Sequence, residues 1–97
     1  MSNRRYFNGT YEVKQTRYPP NRPFKVQLIT DPDSYHTHVR TLKEAIDLAN
    51  YAKHGEVPSS AKVDYLLSLY RVIVNDKLRS KINSMIAKKG GTNPYVR

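Results

Sequence analysis

The sequence contains no cysteine and no tryptophan. Without cysteine there are no disulfide bonds or thiolate metal sites, and the redox compartment cannot be inferred. No apolar run approaches the roughly 20 residues that a transmembrane helix needs. The first ten residues, MSNRRYFNGT, include arginines but no hydrophobic stretch after them, so no secretory signal is predicted. We therefore expect an intracellular protein, cytoplasmic or associated with the nucleoid.

Acidic residues are also scarce, with 8 Asp and Glu against 17 Lys and Arg, which gives a net charge of +9. Such an excess in a small domain favours a polyanionic partner, most often nucleic acid. The same charge would also suit an acidic partner protein, or form a solvated basic surface. A chain of 97 residues is large enough for one hydrophobic core and too short for two.

Three segments have the composition of β-strands. Phe24, Val26 and Leu28 alternate with Lys25 and Gln27, as in a half-buried antiparallel strand. Proline-rich and aspartate-rich turns separate this strand from its neighbours. The three predicted strands are 10–18, 24–30 and 35–40. Short connections between them predict a three-stranded antiparallel meander spanning 10–40.

A helix is predicted over 41–54. Thr41 and Glu44 form the T-x-x-E capping box, and Gly55 supplies a helix stop. Its apolar stripe consists of Leu42, Ala45, Ile46 and Ala49. This stripe should pack on the apolar face of the sheet, because so small a sheet needs such cover.

Residues 60–88 carry a further apolar stripe at helical spacing, which follows a predicted N-cap at Ser59 or Ser60. One long helix fits the stripe, but Asn75–Asp76 could instead cap a second, shorter helix. The predicted fold is thus α+β, with a three-stranded meander packed on one helix and a C-terminal helical extension. The single domain spans 10–89, between a flexible basic arm (1–9) and a flexible tail (90–97).

No catalytic motif is present. The serines lack a G-x-S-x-G context, and no glycine-rich phosphate loop opens a helix. His36 and His38 would share one face of a strand, but no third metal ligand is evident nearby. We therefore expect no metal, no cofactor and no enzymatic activity, which leaves a binding function.

The exposed face of the sheet is the candidate binding surface. Long hydrogen-bond donors and an aromatic side chain occupy it, and such side chains read base edges and phosphates in duplex DNA. The predicted nucleic-acid-binding residues are Arg4 and Arg5 in the arm and Lys14, Thr16, Tyr18, Lys25, Gln27, His36, His38 and Arg40 on the sheet. A secondary basic patch on the helical extension consists of Arg71, Lys77, Arg79, Lys81, Lys88 and Lys89.

Residues 10–54 resemble a known DNA-binding family. Val39, Thr41, Glu44, Ala45 and Ala49 roughly occupy its F-x-T-x-x-E-A-x-x-A junction between strand and helix. The chain is similar here to the plant Apetala-type (ethylene-response-factor) domain and to the N-terminal arm-binding domains of phage tyrosine recombinases. That resemblance implies duplex DNA binding by the exposed sheet face. The chain lacks the family's tryptophan and its glycine in the first strand, and it adds the helical extension.

The leading hypothesis is a small DNA-binding regulator encoded by a phage or mobile element. A phage-type inhibitor or modulator that binds a host nuclease or polymerase is the alternative from another class. An RNA- or ribosome-associated protein is the third, because Tyr18 and Tyr35 could stack on bases. An exposed apolar stripe on the C-terminal helix would instead favour a homodimer.

Overall fold

A computed structural model describes residues 5–95 of the chain, which form an antiparallel sheet followed by three helices. The strands are β1 (Arg5–Phe7), β2 (Tyr11–Gln15), β3 (Phe24–Leu28) and β4 (His36–Val39), and the helices are α1 (Leu42–His54), α2 (Val63–Val72) and α3 (Asp76–Lys88). The order in the sheet is β1-β2-β3-β4, so each strand lies beside its neighbour in sequence. The α+β class and the meander topology are confirmed.

The prediction of three strands is wrong, because the sheet has four. The additional strand, β1, comes from the segment predicted to be an arm, and it pairs with β2. The side chain of Asn8 holds the connecting turn, since its Oδ1 accepts from the amides of Thr10 at 3.1 Å and Tyr11 at 2.8 Å. Gly9 has a φ of 93°, a conformation that glycine adopts without strain. The Tyr6 hydroxyl then donates to Asn50 Oδ1 at 3.1 Å, which ties β1 to α1.

Helix α1 covers one face of this sheet. Its start is as predicted, because the amide of Glu44 donates to Thr41 Oγ1 at 3.1 Å. Gly55, with a φ of 76°, ends the helix. The buried residues differ from the predicted stripe: Leu48 is fully buried with Ala45 and Ala49, whereas Leu42 and Ile46 are only half-buried.

The helical extension is two helices, α2 and α3, and the break precedes Asp76. Asn75 caps α3 by accepting from the amide of Leu78 at 3.0 Å. The predicted serine cap of α2 is wrong, because α2 begins after Lys62, which makes no side-chain capping bond. Ser59 and Ser60 lie in a turn instead.

Most of the apolar stripe of the extension is packed into the core of the protein. The fully buried side chains of α2 and α3 include Leu66, Leu69, Val72, Ile82 and Ile86. Helix α2 packs on β3, β4 and α1, and α3 packs on α2. An exposed apolar stripe would have favoured a homodimer, and within residues 5–95 most of this stripe is packed into the core instead. None of the helices in this range has the length and apolar character needed to cross a membrane.

Candidate nucleic-acid interface

The register of the sheet places basic side chains in one line across all four strands. Residues directly opposite each other on antiparallel strands point to the same face. Arg5 lies opposite Lys14, Lys14 opposite Lys25, and Lys25 opposite His38. We call these four residues the basic row. Because adjacent strands lie about 4.8 Å apart, the row extends for about 14 Å over the face opposite α1.

This arrangement is unfavourable for the fold by itself, because like charges directly opposite each other destabilise a sheet. Among the residues that the structure describes, no carboxylate forms an ion pair with the basic row. An anion bound along the row would remove the repulsion. A local conflict with stability of this kind is expected at functional sites.

A second row lies beside the basic row on the same face. It consists of Phe7, Glu12, Gln27 and His36, which are also directly opposite one another. Gln27 Nε2 donates to Glu12 Oε1 at 2.9 Å, so the one acid of the two rows is engaged by a neutral side chain. His36 Nδ1 donates to the carbonyl of Pro32 at 2.9 Å. Phe7 is 66% exposed at the open edge.

His38 differs from the other members of the basic row. Burial lowers the pKa of its imidazole, and the positive charges of His36, Lys25 and Arg71 lower the pKa further, while the backbone carbonyl of Arg22 acts in the opposite direction. Its Nδ1 is buried without a hydrogen-bond partner. His38 is therefore neutral at pH 7 until an anion lies close enough to favour its protonation.

Some of the predicted sheet residues lie away from the two rows. The Thr16 hydroxyl is shared between the carbonyls of Tyr18 and Pro23, each at 3.1 Å, so it serves the loop after β2. Tyr18 is 70% exposed in that loop. Arg40 follows the end of β4 and lines a groove with Glu44 of α1 and residues of α2. Arg4 lies outside the described residues.

The secondary basic patch is not a single surface. Arg71 lies next to His38 and belongs with the basic row. Arg79 is half-buried, with its guanidinium carbon 4.3 Å from the centre of the Tyr70 ring, so it serves packing.

The lysines of the patch separate as well. Lys77 and Lys81 line a shallow groove with Lys53 and His54 of α1. Lys89 Nζ donates to the carbonyl of Ser59 at 2.9 Å, and Lys88 is exposed at the end of α3.

Sequence reasoning missed Phe7 and Arg22 as neighbours of the site. Phe7 was detectable, because Asn8-Gly9 between aromatic residues is a strong hairpin signal. No local signal places Arg22 or Arg71 near His38, since those contacts join segments far apart in the chain.

Comparison of the chain with protein-family models, with curated proteins and with solved structures found no match in any of the three. The class of this protein is therefore defined by its fold and surface alone: a small α+β domain with a basic sheet face.

Proposed function

We propose that this chain is a small, non-enzymatic DNA-binding protein that contacts duplex DNA through the outer face of its sheet. The observation that carries the proposal is the basic row, in which Arg5, Lys14, Lys25 and His38 lie side by side without an acidic partner among 5–95. Nucleic-acid backbones supply the regularly spaced negative charge that such a row can neutralise.

The dimensions of the face suit the major groove. The groove of B-DNA is about 12 Å wide and admits β-structure, and the basic row is similar in length. Lys25 lies on the inner strand β3, where it can reach base edges. Gln27, predicted to read bases as well, is buried and bonded to Glu12, so we do not assign it that role. Arg5 and His38 lie on the outer strands, where they can reach phosphates at the rims.

The resemblance to the Apetala-type and recombinase arm-binding domains supports the same mode of binding, because those domains use the outer face of a sheet. The fourth strand, β1, widens the face here and adds Arg5 and Phe7 to it. A regulator encoded by a phage or mobile element remains the biological role that we propose.

The test is duplex DNA binding measured across a salt series. Wild-type affinity should fall steeply with salt, by about 0.9 log unit per log unit of salt for each phosphate neutralised. The double variant Lys14→Ala/Lys25→Ala should bind more weakly at low salt, and it should lower this slope by about 1 for each of the two lysines that neutralises a phosphate.

The matched control is Lys77→Ala/Lys88→Ala, which removes the same charge from α3. Helix α3 packs on α2 and contributes no residue to the basic row. The control should therefore leave the salt slope nearly unchanged. Equal losses in the two double variants would mean that total charge, and not the sheet face, determines binding.

A second candidate function is binding of single-stranded RNA, which the exposed Phe7 favours. Arg5 and Phe7 are two residues apart on β1 and point to the same face. An aromatic ring beside a cation is suited to stacking an unpaired base while its phosphate is neutralised. Phe7→Ala should weaken single-stranded RNA binding by about 1–3 kcal/mol if the base stacks there. Under the duplex proposal, the same variant changes DNA affinity little.

A further inference from the structure

A cleft of about 340 Å³ lies at the His38 end of the basic row. The loop before β3, strand β4, helix α2 and the C-terminal segment all contribute to its wall. The residues that line it include Arg22, His38, Asp64, Ser68, Arg71 and Tyr95. We call it the Arg71 cleft.

Arg71 is the cation of this cleft that has no acidic partner among the described residues. Its guanidinium carbon lies 4.9 Å from the centre of the Tyr95 ring, a stacking contact. Stacking on an aromatic ring orients the guanidinium and leaves its N–H groups, which lie in its plane, free for an anion. Arg71 is therefore preorganised for bidentate binding.

The acid of the cleft is already engaged. Asp64 Oδ2 lies 3.2 Å from the Arg22 guanidinium, and this ion pair neutralises both groups. Asp64 therefore offsets the charge of Arg22 more than that of Arg71. The cleft as a whole keeps a positive charge.

His38 is the second feature of the site, because its imidazole lines the cleft together with Arg71. Its buried Nδ1 has no hydrogen-bond partner, which is unusual for a buried polar atom. Protonation would make the imidazole a cation beside Arg71. A bound anion would favour that protonation against the opposing charges of His36, Lys25 and Arg71.

We propose that the Arg71 cleft binds a phosphoryl group, with Arg71 as the bidentate donor and His38 as a cation that is protonated on binding. The proposal rests on the proposed function where it takes this group to be a backbone phosphate of DNA. In that case, the cleft extends the basic row by one contact beyond the edge of the sheet. A terminal phosphate or inorganic phosphate has the same chemistry.

The experiment follows the His38 imidazole by NMR during a pH titration, with and without inorganic phosphate. Phosphate should shift the His38 resonances and raise the pKa of its imidazole. Arg71→Ala should abolish the shift, and Arg71→Lys should reduce it, because lysine keeps the charge without the bidentate geometry. Lys88→Ala, an exposed charge on α3, should leave it unchanged. An unchanged His38 signal at saturating phosphate, or an equal shift in folded Arg71→Ala, would overturn the proposal.

A second set of measurements tests the cleft proposal independently of the sheet-face proposal. Lys14→Ala/Lys25→Ala should weaken duplex binding but retain the response of His38 to inorganic phosphate. Adding duplexes with a 5′-hydroxyl or with a 5′-phosphate, and following the His38 resonances, distinguishes a backbone phosphate from a terminal phosphate as the bound group. A shift with both supports a backbone phosphate, and a shift with the second alone supports a terminal phosphate. If wild type responds to phosphate but binds no DNA, the cleft is supported and the proposed function fails.

Discussion

The two faces of the sheet are built from alternate residues of the same strands, yet they have opposite properties. Val13 and Val26 are fully buried on the inner face, whereas Lys14 and Lys25, one position along, face outward. The inner face stabilises the fold through apolar burial. The outer face places like charges directly opposite one another on adjacent strands, which opposes stability. This difference underlies the proposal that the outer face binds a partner.

The largest effect is expected on the inner side. Leu48→Ala removes a fully buried side chain of α1 that packs in the core with the sheet. It should destabilise the protein by about 2–5 kcal/mol, because both transfer free energy and packing are lost. Urea denaturation would measure this. A loss below about 1 kcal/mol would contradict the packing of α1 described above.

The second-largest effect is expected at high pH, which should lower the stability of the folded protein through Tyr11 on the inner face. Burial raises the pKa of Tyr11 from 10.0 to about 12, and its hydroxyl donates to the Val72 carbonyl at 2.8 Å. Between pH 10 and pH 12 the unfolded chain loses this proton while the folded chain keeps it, so stability falls as pH rises, by up to about 3 kcal/mol from this residue.

The measurement is urea denaturation from pH 8 to pH 12. Tyr11→Phe should be less stable than wild type at pH 8, since the Val72 carbonyl loses its donor. It should also show a shallower decline above pH 10. The half-buried Tyr65, whose pKa is also raised by burial, remains in both proteins and serves as the common background.

The smallest effect is expected on the outer face, and it has the opposite sign. Lys25 lies between Lys14 and His38 in the basic row. Lys25→Ala should stabilise the protein by a few tenths to about 1 kcal/mol at low salt, because it removes cross-strand repulsion. Added salt should shrink this gain by screening. Destabilisation that salt does not change would indicate that Lys25 contributes mainly through packing of its aliphatic stem.

Local signals account for the parts of the fold that were predictable. Thr41 and Glu44 are three residues apart, and their capping contact needs no distant partner. Asn75, given as one of two alternatives, likewise caps α3 through a bond to the residue three positions later. The arm predicted from Arg4 and Arg5 contains β1, which Asn8-Gly9 between aromatic residues indicates as a local hairpin signal.

The candidate site was only partly predictable for the same reason. Alternation within a strand is local, so Lys25 and Gln27 could be assigned to the face opposite Phe24 and Val26. The role of Arg71 depended on α2 packing along β4, which brings it beside a residue 33 positions earlier, His38. No periodicity in the sequence encodes that contact.

The sequence by itself determined which residues of each strand share a face, where α1 starts and stops, and that the surface is basic. These properties depend on side-chain type and on spacings of two to four residues. The tertiary structure decided that Arg5, Lys14, Lys25 and His38 align in one row, and that Arg71 continues it. Register and helix docking depend on burying the whole core at once, so no single segment can specify them.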